Sequence, residues 1–239
     1  MVINVYVGFD SREAAAYHVF CQSVIDHATG PVAFIPLHRS MLDNFDGQRD
    51  GTNAFIFSRF LVPQLQNFEG WALFADGDMV VTRDIYELFK EADERYAAMV
   101  VPHEYKTQHP RKYIGSPLEN DNVDYPGKNW SSVILWNCGH PANRILNRKF
   151  VQDAHGSFLH RLQWLGLNEI GFLPPEWNHL VGEYPDNKAS LYHYTLGVPG
   201  IRHYENCDAA DGWHQTLRRA LHITGEEPAK MVKRAESHK

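Results

Sequence analysis

Apolar and polar positions divide the chain into alternating strand and helix patterns. Val2-Ile3-Asn4-Val5-Tyr6-Val7-Gly8-Phe9 is rich in β-branched residues and reads as a first strand. Asp10 and Ser11 follow, with Ser11 in position to cap a helix. Residues 12–27 then place Ala16, Val19, Phe20 and Val24 at helical spacing. A second strand covers residues 31–37, and residues 39–53 are polar and loop-like. Residues 55–65 read as helical, with Pro63 complicating the end. Trp71-Ala72-Leu73-Phe74-Ala75 is an apolar run of the length of a buried strand, and it stops at Asp76. Gly77 allows a sharp turn, Asp78 follows, and the apolar pattern resumes at Met79.

Further on, Asp84 precedes a helix over residues 85–92 as its cap, and residues 97–102 form another strand. Residues 103–128 are polar and broken by Pro110, Pro117 and Pro126, a length that marks a functional segment and reads as a mobile flap over a site. Val133-Ile134-Leu135-Trp136-Asn137 is a strand, and residues 141–164 mix helical patches with turns. Residues 173–178 are irregular, with Trp177 as an aromatic wall. A short strand spans residues 191–195, and residues 208–222 form a last helix. The pattern predicts one α/β domain over residues 1–224, a Rossmann-like central mixed sheet flanked by helices, and a charged, frayed tail at 225–239.

Composition narrows the class. The 239 residues are 44% hydrophobic and 22% charged, enough to bury a core, and the net charge of −6 argues against a nucleic-acid partner. Cys21, Cys138 and Cys207 are odd in number and widely spaced, so a disulfide framework or zinc ribbon is not expected. With no apolar run of about 18 residues and no secretory pattern, the expectation is a cytoplasmic protein without an integral membrane segment. The 14 histidines show no paired zinc spacing.

The chemistry concentrates at Asp76-Gly77-Asp78. Two carboxylates at a strand tip can aim at one point, where their repulsion is relieved by a divalent cation. Hard oxygen ligands suit Mg²⁺ or Mn²⁺. The other reading of the same residues is a solvated Asp-Gly turn. Asp10, beyond the first strand, either contacts a base or ribose or caps the helix. Arg59, on an apolar helix, either pairs with a carboxylate or phosphate near the acidic turn or snorkels to solvent. His193 either adds a nitrogen to the metal or is structural. The absence of Gly-x-Gly-x-x-Gly after the first strand and of a lysine-bearing phosphate loop argues against dinucleotide and P-loop readings.

Taken in order, several segments resemble the GT-A-fold glycosyltransferases of the glycogenin-like group, family 8, which includes lipopolysaccharide galactosyltransferases. They are Val5 to Asp10 with Arg12-Glu13, Phe57-Ser58-Arg59-Phe60, Phe74 to Asp78, Asn129 to Asn137, Leu173 to Asn178 and His193-Tyr194-Thr195. The resemblance implies that Asp76, Asp78 and His193 bind Mn²⁺, or Mg²⁺, on the diphosphate of a nucleotide sugar, UDP-linked. It implies that Val7, Phe9, Asp10, Arg59 and Gly77 surround the donor nucleotide. Asn129, Trp130, Ser131, Ser132, Trp177 and Asn178 would lie near the donor sugar or acceptor. The family's His-x-x-Gly-x-x-Lys-Pro-Trp is broken here, with Leu196 at the glycine place and Pro199 at the lysine place, and Arg202 is the substitute cation for the diphosphate. The family's Asp-Gln pair is also missing from residues 162–169.

The activity implied by the resemblance is that of a metal-dependent glycosyltransferase. It would move a hexose, with retention, to an unknown hydroxyl on a carbohydrate, lipid-linked or protein acceptor. No catalytic nucleophile is assigned. Two alternatives stay open: a haloacid-dehalogenase-type phosphatase with Asp76 as nucleophile, and a non-catalytic nucleotide-sugar or carbohydrate-binding protein on the same fold.

Overall fold

The computed structural model describes residues 2–38, 40, 53–185 and 187–222. Most of the loop expected at 39–53 and the whole tail expected at 225–239 lie outside the described residues. The chain begins with β1 (Ile3–Gly8), α1 (Ala14–His27) and β2 (Val32–Leu37), then α2 (Val62–Leu65), β3 (Trp71–Ala75), β4 (Met79–Val81) and α3 (Ile85–Phe89). It continues with β5 (Ala98–Val100), β6 (Arg111–Lys112), β7 (Asn120–Asp121) and β8 (Val133–Asn137). α4 (Arg148–Asp153), α5 (Gly156–His160), β9 (Ile170–Phe172), β10 (His179–Leu180), β11 (Leu191–His193) and α6 (Ala210–Ala220) complete it.

Six of these strands form a mixed sheet in the order β2-β1-β3-β8-β5-β9. β1 runs parallel to β2 and β3, while β8 is antiparallel to both β3 and β5. Alternate side chains feed two cores. Tyr6, Phe74, Ile134 and Trp136 point to one, and Val5, Val7, Leu73, Ala75 and Leu135 to the other. Burial on both faces is why β3 and β8 read as unbroken apolar runs instead of alternating ones. A smaller sheet, β10-β11-β4, lies beyond the acidic turn, with β11 antiparallel to β4. α1 packs on β4 and α6 through Ala16, Val19, Val80 and Trp213.

Some local expectations are corrected. Asp10, not Ser11, is the cap: its backbone is extended and its carboxylate accepts from Arg12 N at 3.0 Å. Its carboxylate reaches the free N–H of Arg12 in the Ser11–Glu13 turn ahead of α1, whereas Ser11 already lies inside that turn. Residues 55–65 form a 3-10 turn, Ser58–Leu61, leading into α2. Pro63 sits in the first turn of α2, where its missing N–H has no intrahelical partner to lose, so it does not break that helix. Asp84 does cap α3, accepting from Tyr86 N at 3.0 Å. The polar segment 103–128 is not structureless: β6 and β7 pair as a small antiparallel ladder within it. All three cysteines are free thiols. Among the described residues no helix is long and apolar enough to cross a membrane.

Candidate functional site

The site is built where β3 ends. Asp76 N donates to Ser132 O at 2.9 Å, the chain turns through Gly77 and Asp78, and β4 starts at Met79. Gly77 is needed for close approach: a Cβ there would stand 2.5 Å from the Gly8 carbonyl oxygen. The β11–β4 register sets His193 opposite Met79, which brings the imidazole beside Asp78 across 115 residues of sequence.

One ligand atom from each of Asp76, Asp78 and His193 fits within 4.8 Å of the other two. His193 Nε2 is 3.5 Å from Asp78 Oδ1. On the far side of the ring, His193 Nδ1 meets Asn178 Oδ1 at 3.0 Å. Asn178, fully buried, gives its amide N–H groups to Ser132 Oγ at 2.8 Å and Asn129 O at 3.3 Å. Ser132 Oγ–H in turn donates to Asn129 O at 2.6 Å. This chain of donors leaves Asn178 Oδ1 only an acceptor's role, so Nδ1 of His193 carries the proton and Nε2 presents a lone pair to the acidic turn.

The carboxylates are incompletely satisfied. Tyr113 donates its hydroxyl to Asp78 Oδ2 at 2.6 Å. Oδ1 of Asp76 and Oδ1 of Asp78 are buried without a hydrogen bond. Arg59 Nη1 stands 2.9 Å from Asp76 Oδ1, an ion pair off the hydrogen-bond direction. The guanidinium itself donates to Ile56 O and Ser131 O and stacks over Phe74 with 4.8 Å to the ring centre. Arg59 is only 4% exposed, so the apolar helix holds a paired arginine and not a snorkelling one.

Burial pushes Asp76 up to about 6, with Asp78 adding to the rise and Arg59 opposing it. Burial acts upward on Asp78 too, but the nearby His193 and the hydrogen bond from the Tyr113 hydroxyl outweigh it and hold Asp78 below the usual carboxylate range. Glu13, whose Oε2 is also buried without a hydrogen bond, is raised well above its ordinary value by burial and then by Asp78, Asp10 and Asp76. Burial drives Lys112 down, while Asp78 pulls it back. Two orphaned carboxylate oxygens and one imidazole lone pair, converging beside a third acid, fit a divalent cation with oxygen and nitrogen ligands.

Two clefts meet here. One, of about 420 Å³, is lined by Glu13, Asp76, Asp78, Lys112, Tyr113 and His193 among others. The second, of about 860 Å³, is lined by Arg59, Tyr125, Ser131, Ser132, His160 and Arg161 among others. Asn53, Asp76, Lys112 and Asn129 border both.

The structure thus brings Asp76, Asp78, His193, Arg59, Asn129, Ser131 and Ser132 to the clefts. Asn178 stands behind His193. Val7 and Trp177 are core residues of the sheet face that also holds Leu73 and Ala75. The Phe9 ring is edge-on to Tyr17 at 5.4 Å, and Asp10 is occupied by Arg12 and by Ala54 N. Trp130 donates to His103 O and packs edge-on to Phe172, lining neither cleft. Arg202 is exposed on the Arg202–Tyr204 turn and also lines neither. Leu196 and Pro199 are buried. Sequence reasoning missed Glu13, Lys112, Tyr113, Tyr125, His160 and Arg161. Three of these lie in the segment read as a flap, and Glu13 directly follows the first strand-turn motif.

No family model matches the chain. Protein CDI of Arabidopsis thaliana is 39% identical over 222 residues, covering 88% of this chain and 84% of that protein. The chain belongs to the Protein CDI family. Solved structures show the fold of this CDI-family chain. It is similar to the bifunctional glycosyltransferase WbbM, with a TM-score of 0.62 and 16% identity, over 97% of this chain and 51% of that one. It is similar to the glycosyltransferase GlyE of Streptococcus pneumoniae TIGR4, with a TM-score of 0.57 and 12% identity, over 91% of this chain and 60% of that one. The chain therefore spans about half the length of WbbM and three fifths of GlyE. The galactosyltransferase LgtC, solved with donor and acceptor sugar analogues, matches with a TM-score of 0.54 and 13% identity, over 97% and 99% of the two chains. The CDI-family chain has the GT-A glycosyltransferase fold, as the sequence resemblance implied. That fold removes the scaffold on which a haloacid-dehalogenase nucleophile would have to sit.

Proposed function

We propose that this protein is a metal-dependent glycosyltransferase that takes a hexose from a UDP-linked donor and transfers it, with retention, to a hydroxyl acceptor. The observation that carries the reading is the convergence of Asp76, Asp78 and His193 within 4.8 Å on a GT-A fold, with Asp78 Oδ1 and the Arg59-paired Asp76 Oδ1 both buried without a hydrogen bond. LgtC, of the same fold, was solved with donor and acceptor sugar analogues, which supports sugar transfer as the chemistry.

Asp76, Asp78 and His193 would hold Mn²⁺ or Mg²⁺. Such a cation supplies Lewis-acid stabilisation of the charge that grows on a departing diphosphate. Arg59 keeps Asp76 aimed, and Asn178 fixes the tautomer of His193. Lys112, which borders both clefts, is the residue we assign to grip the diphosphate, in place of the lysine replaced by Pro199 and of the distant Arg202. Tyr113 and Lys112 come from the 103–128 segment, which covers the site and excludes water from a donor that hydrolysis would waste. Asn129, Ser131 and Ser132 line the cleft assigned to the sugar.

Thermal shift with a panel of nucleotide sugars, with and without Mn²⁺, tests the reading. A ligand of the native state alone raises the melting point. The expected result is a metal-dependent rise with uridine nucleotides; no response to any of them rejects the proposal. The second reading, binding without turnover, draws on the loss of the family lysine and Asp-Gln pair. UDP binding with neither transfer nor slow donor hydrolysis decides for it.

A further inference from the structure

The two clefts that meet at Asp76 have opposite charge. Among the described residues of the first, three carboxylates, Glu13, Asp76 and Asp78, face one cation, Lys112. In the second, three cations, Arg59, Lys112 and Arg161, face one carboxylate, Asp76. That carboxylate is already paired with Arg59. Lys112 lies between the two sets and is drawn to Asp78, Asp76 and Glu13. The charge left without a counterpart among the described residues is Arg161.

Arg161 is more than a solvated cation at a rim. Its Nε is buried and has no hydrogen-bond partner among the described residues. A buried guanidinium N–H without an acceptor is costly, and such a group is normally answered by an anion or by a carbonyl. The same cleft is lined by the hydroxyl residues Ser131, Ser157 and Tyr125, of which Ser131 Oγ meets His160 Nδ1 at 2.7 Å and Ser157 Oγ meets His155 Nδ1 at 2.8 Å. His160 cannot serve as a further charge: burial holds its imidazole down at about 3, with Arg59 adding to the fall. An unpaired guanidinium with flanking hydroxyls is the chemistry that recognises a sugar carrying a carboxylate or phosphate.

We infer that the second cleft binds a negatively charged sugar, with the unpaired Arg161 as the group that holds its anionic substituent. The inference rests on the sugar-transfer reading and deepens it by naming the substrate class. The charge can arrive on the transferred sugar, as a uronate, or on the acceptor, as a sugar phosphate. The diphosphate of the donor is a separate anion, assigned to the cation of the first cleft and to Lys112.

Calorimetry on the full chain with Mn²⁺ tests this in two arms. In the donor arm UDP, UDP-glucose and UDP-glucuronate are titrated into the wild type, Arg161→Ala and Arg161→Lys. In the acceptor arm glucose and glucose 6-phosphate are titrated in the absence of nucleotide. The wild type should prefer the charged sugar in one arm, and that arm identifies the source. Arg161→Ala should lose roughly tenfold or more of affinity for that charged sugar, the scale of a charge-assisted hydrogen bond, with UDP binding unchanged. Arg161→Lys should recover part of the loss, and unchanged melting curves show that both variants fold. Equal loss for UDP and the charged sugar would mean that Arg161 grips the diphosphate, and the inference falls. A wild type with no preference for charge in either arm also overturns it. If uridine nucleotides fail to bind at all, the sugar-transfer reading has failed, while the acceptor arm still reports on the cleft.

Discussion

His193 gives its Nδ1 proton to Asn178 Oδ1 at 3.0 Å, and this bond turns the opposite nitrogen, Nε2, toward Asp78. The amide that fixes the imidazole is itself fixed by Ser132 and Asn129. Replacing such a partner behind a metal ligand costs roughly 10- to 100-fold in metal affinity. Asn178→Ala should therefore weaken Mn²⁺ binding on that scale, with the three ligands still present. Titration of Mn²⁺ followed by electron paramagnetic resonance measures it, and unchanged affinity would show that the tautomer is set elsewhere.

Arg59 and Asp76 form a buried pair in a fold that has few other ways to neutralise Asp76. Removing one member strands the other charge. Arg59→Met should cost about 3 kcal/mol, the low end for a broken buried pair because Asp76 keeps some contact with solvent. Divalent metal should restore part of that loss by supplying positive charge at the same carboxylate. Urea unfolding with and without Mn²⁺ checks both halves. Equal losses in the two conditions would separate Arg59 from the metal site.

Two glycines give a contrast. Gly77→Ala forces a Cβ to 2.5 Å from the Gly8 carbonyl oxygen, so β1 or the acidic turn must move. It should destabilise the fold by roughly 1–3 kcal/mol, the usual cost of overpacking, and weaken metal binding with it. Gly212, inside α6, has open space around it, and Gly212→Ala should stabilise by about 0.5–1 kcal/mol. Thermal melts of both variants test the pair of signs.

The buried imidazoles give a pH dependence. Burial holds His103 and His160 at about 3, so the folded protein keeps both neutral. The unfolded chain protonates them below about 6.5. Their stability contribution is thus full above that pH and is lost as pH falls toward 3. Asp76 runs the other way: raised to about 6, it favours the fold at low pH and loses that contribution as pH rises through 6. A difference measurement isolates the histidines. Gln at both positions should make the stability-against-pH curve shallower than that of the wild type between roughly pH 4 and 6.5. Parallel curves would mean that the imidazoles are charged in the fold.

The fold was legible because the sheet is written in apolar runs. The run from Trp71 to Ala75 is buried on both faces and stops at a charge, which placed the end of β3 and the acidic turn correctly. Arg59 was legible as an arginine in need of an anion for the same reason. Long-range pairing was harder to read. Nothing in Leu191-Tyr192-His193 reveals register with β4; the family resemblance implied only that His193 meets the acidic turn, and the register that brings it there is seen in the structure. Lys112, Tyr113 and Tyr125 escaped because the 103–128 segment has no periodicity, so its inward-facing positions cannot be separated from its exposed ones. Trp177 misled in the opposite direction: an aromatic beside prolines reads as a binding wall, but here it fills the core under β3. Arg202 is the cation nearest in sequence to the broken motif, but it lines neither cleft, whereas Lys112 on β6, 90 residues earlier, borders both.

If Asp76, Asp78 and His193 hold one divalent cation, and that cation presents the diphosphate of a nucleotide sugar, then UDP binding must need both the metal and its ligands. Calorimetric titration of UDP into the wild type and Asp78→Ala, each with Mn²⁺ and then with a chelator, tests this most directly. Tight binding is expected only for the wild type with metal, and loss in the other three conditions. Equal UDP affinity in all four would contradict it.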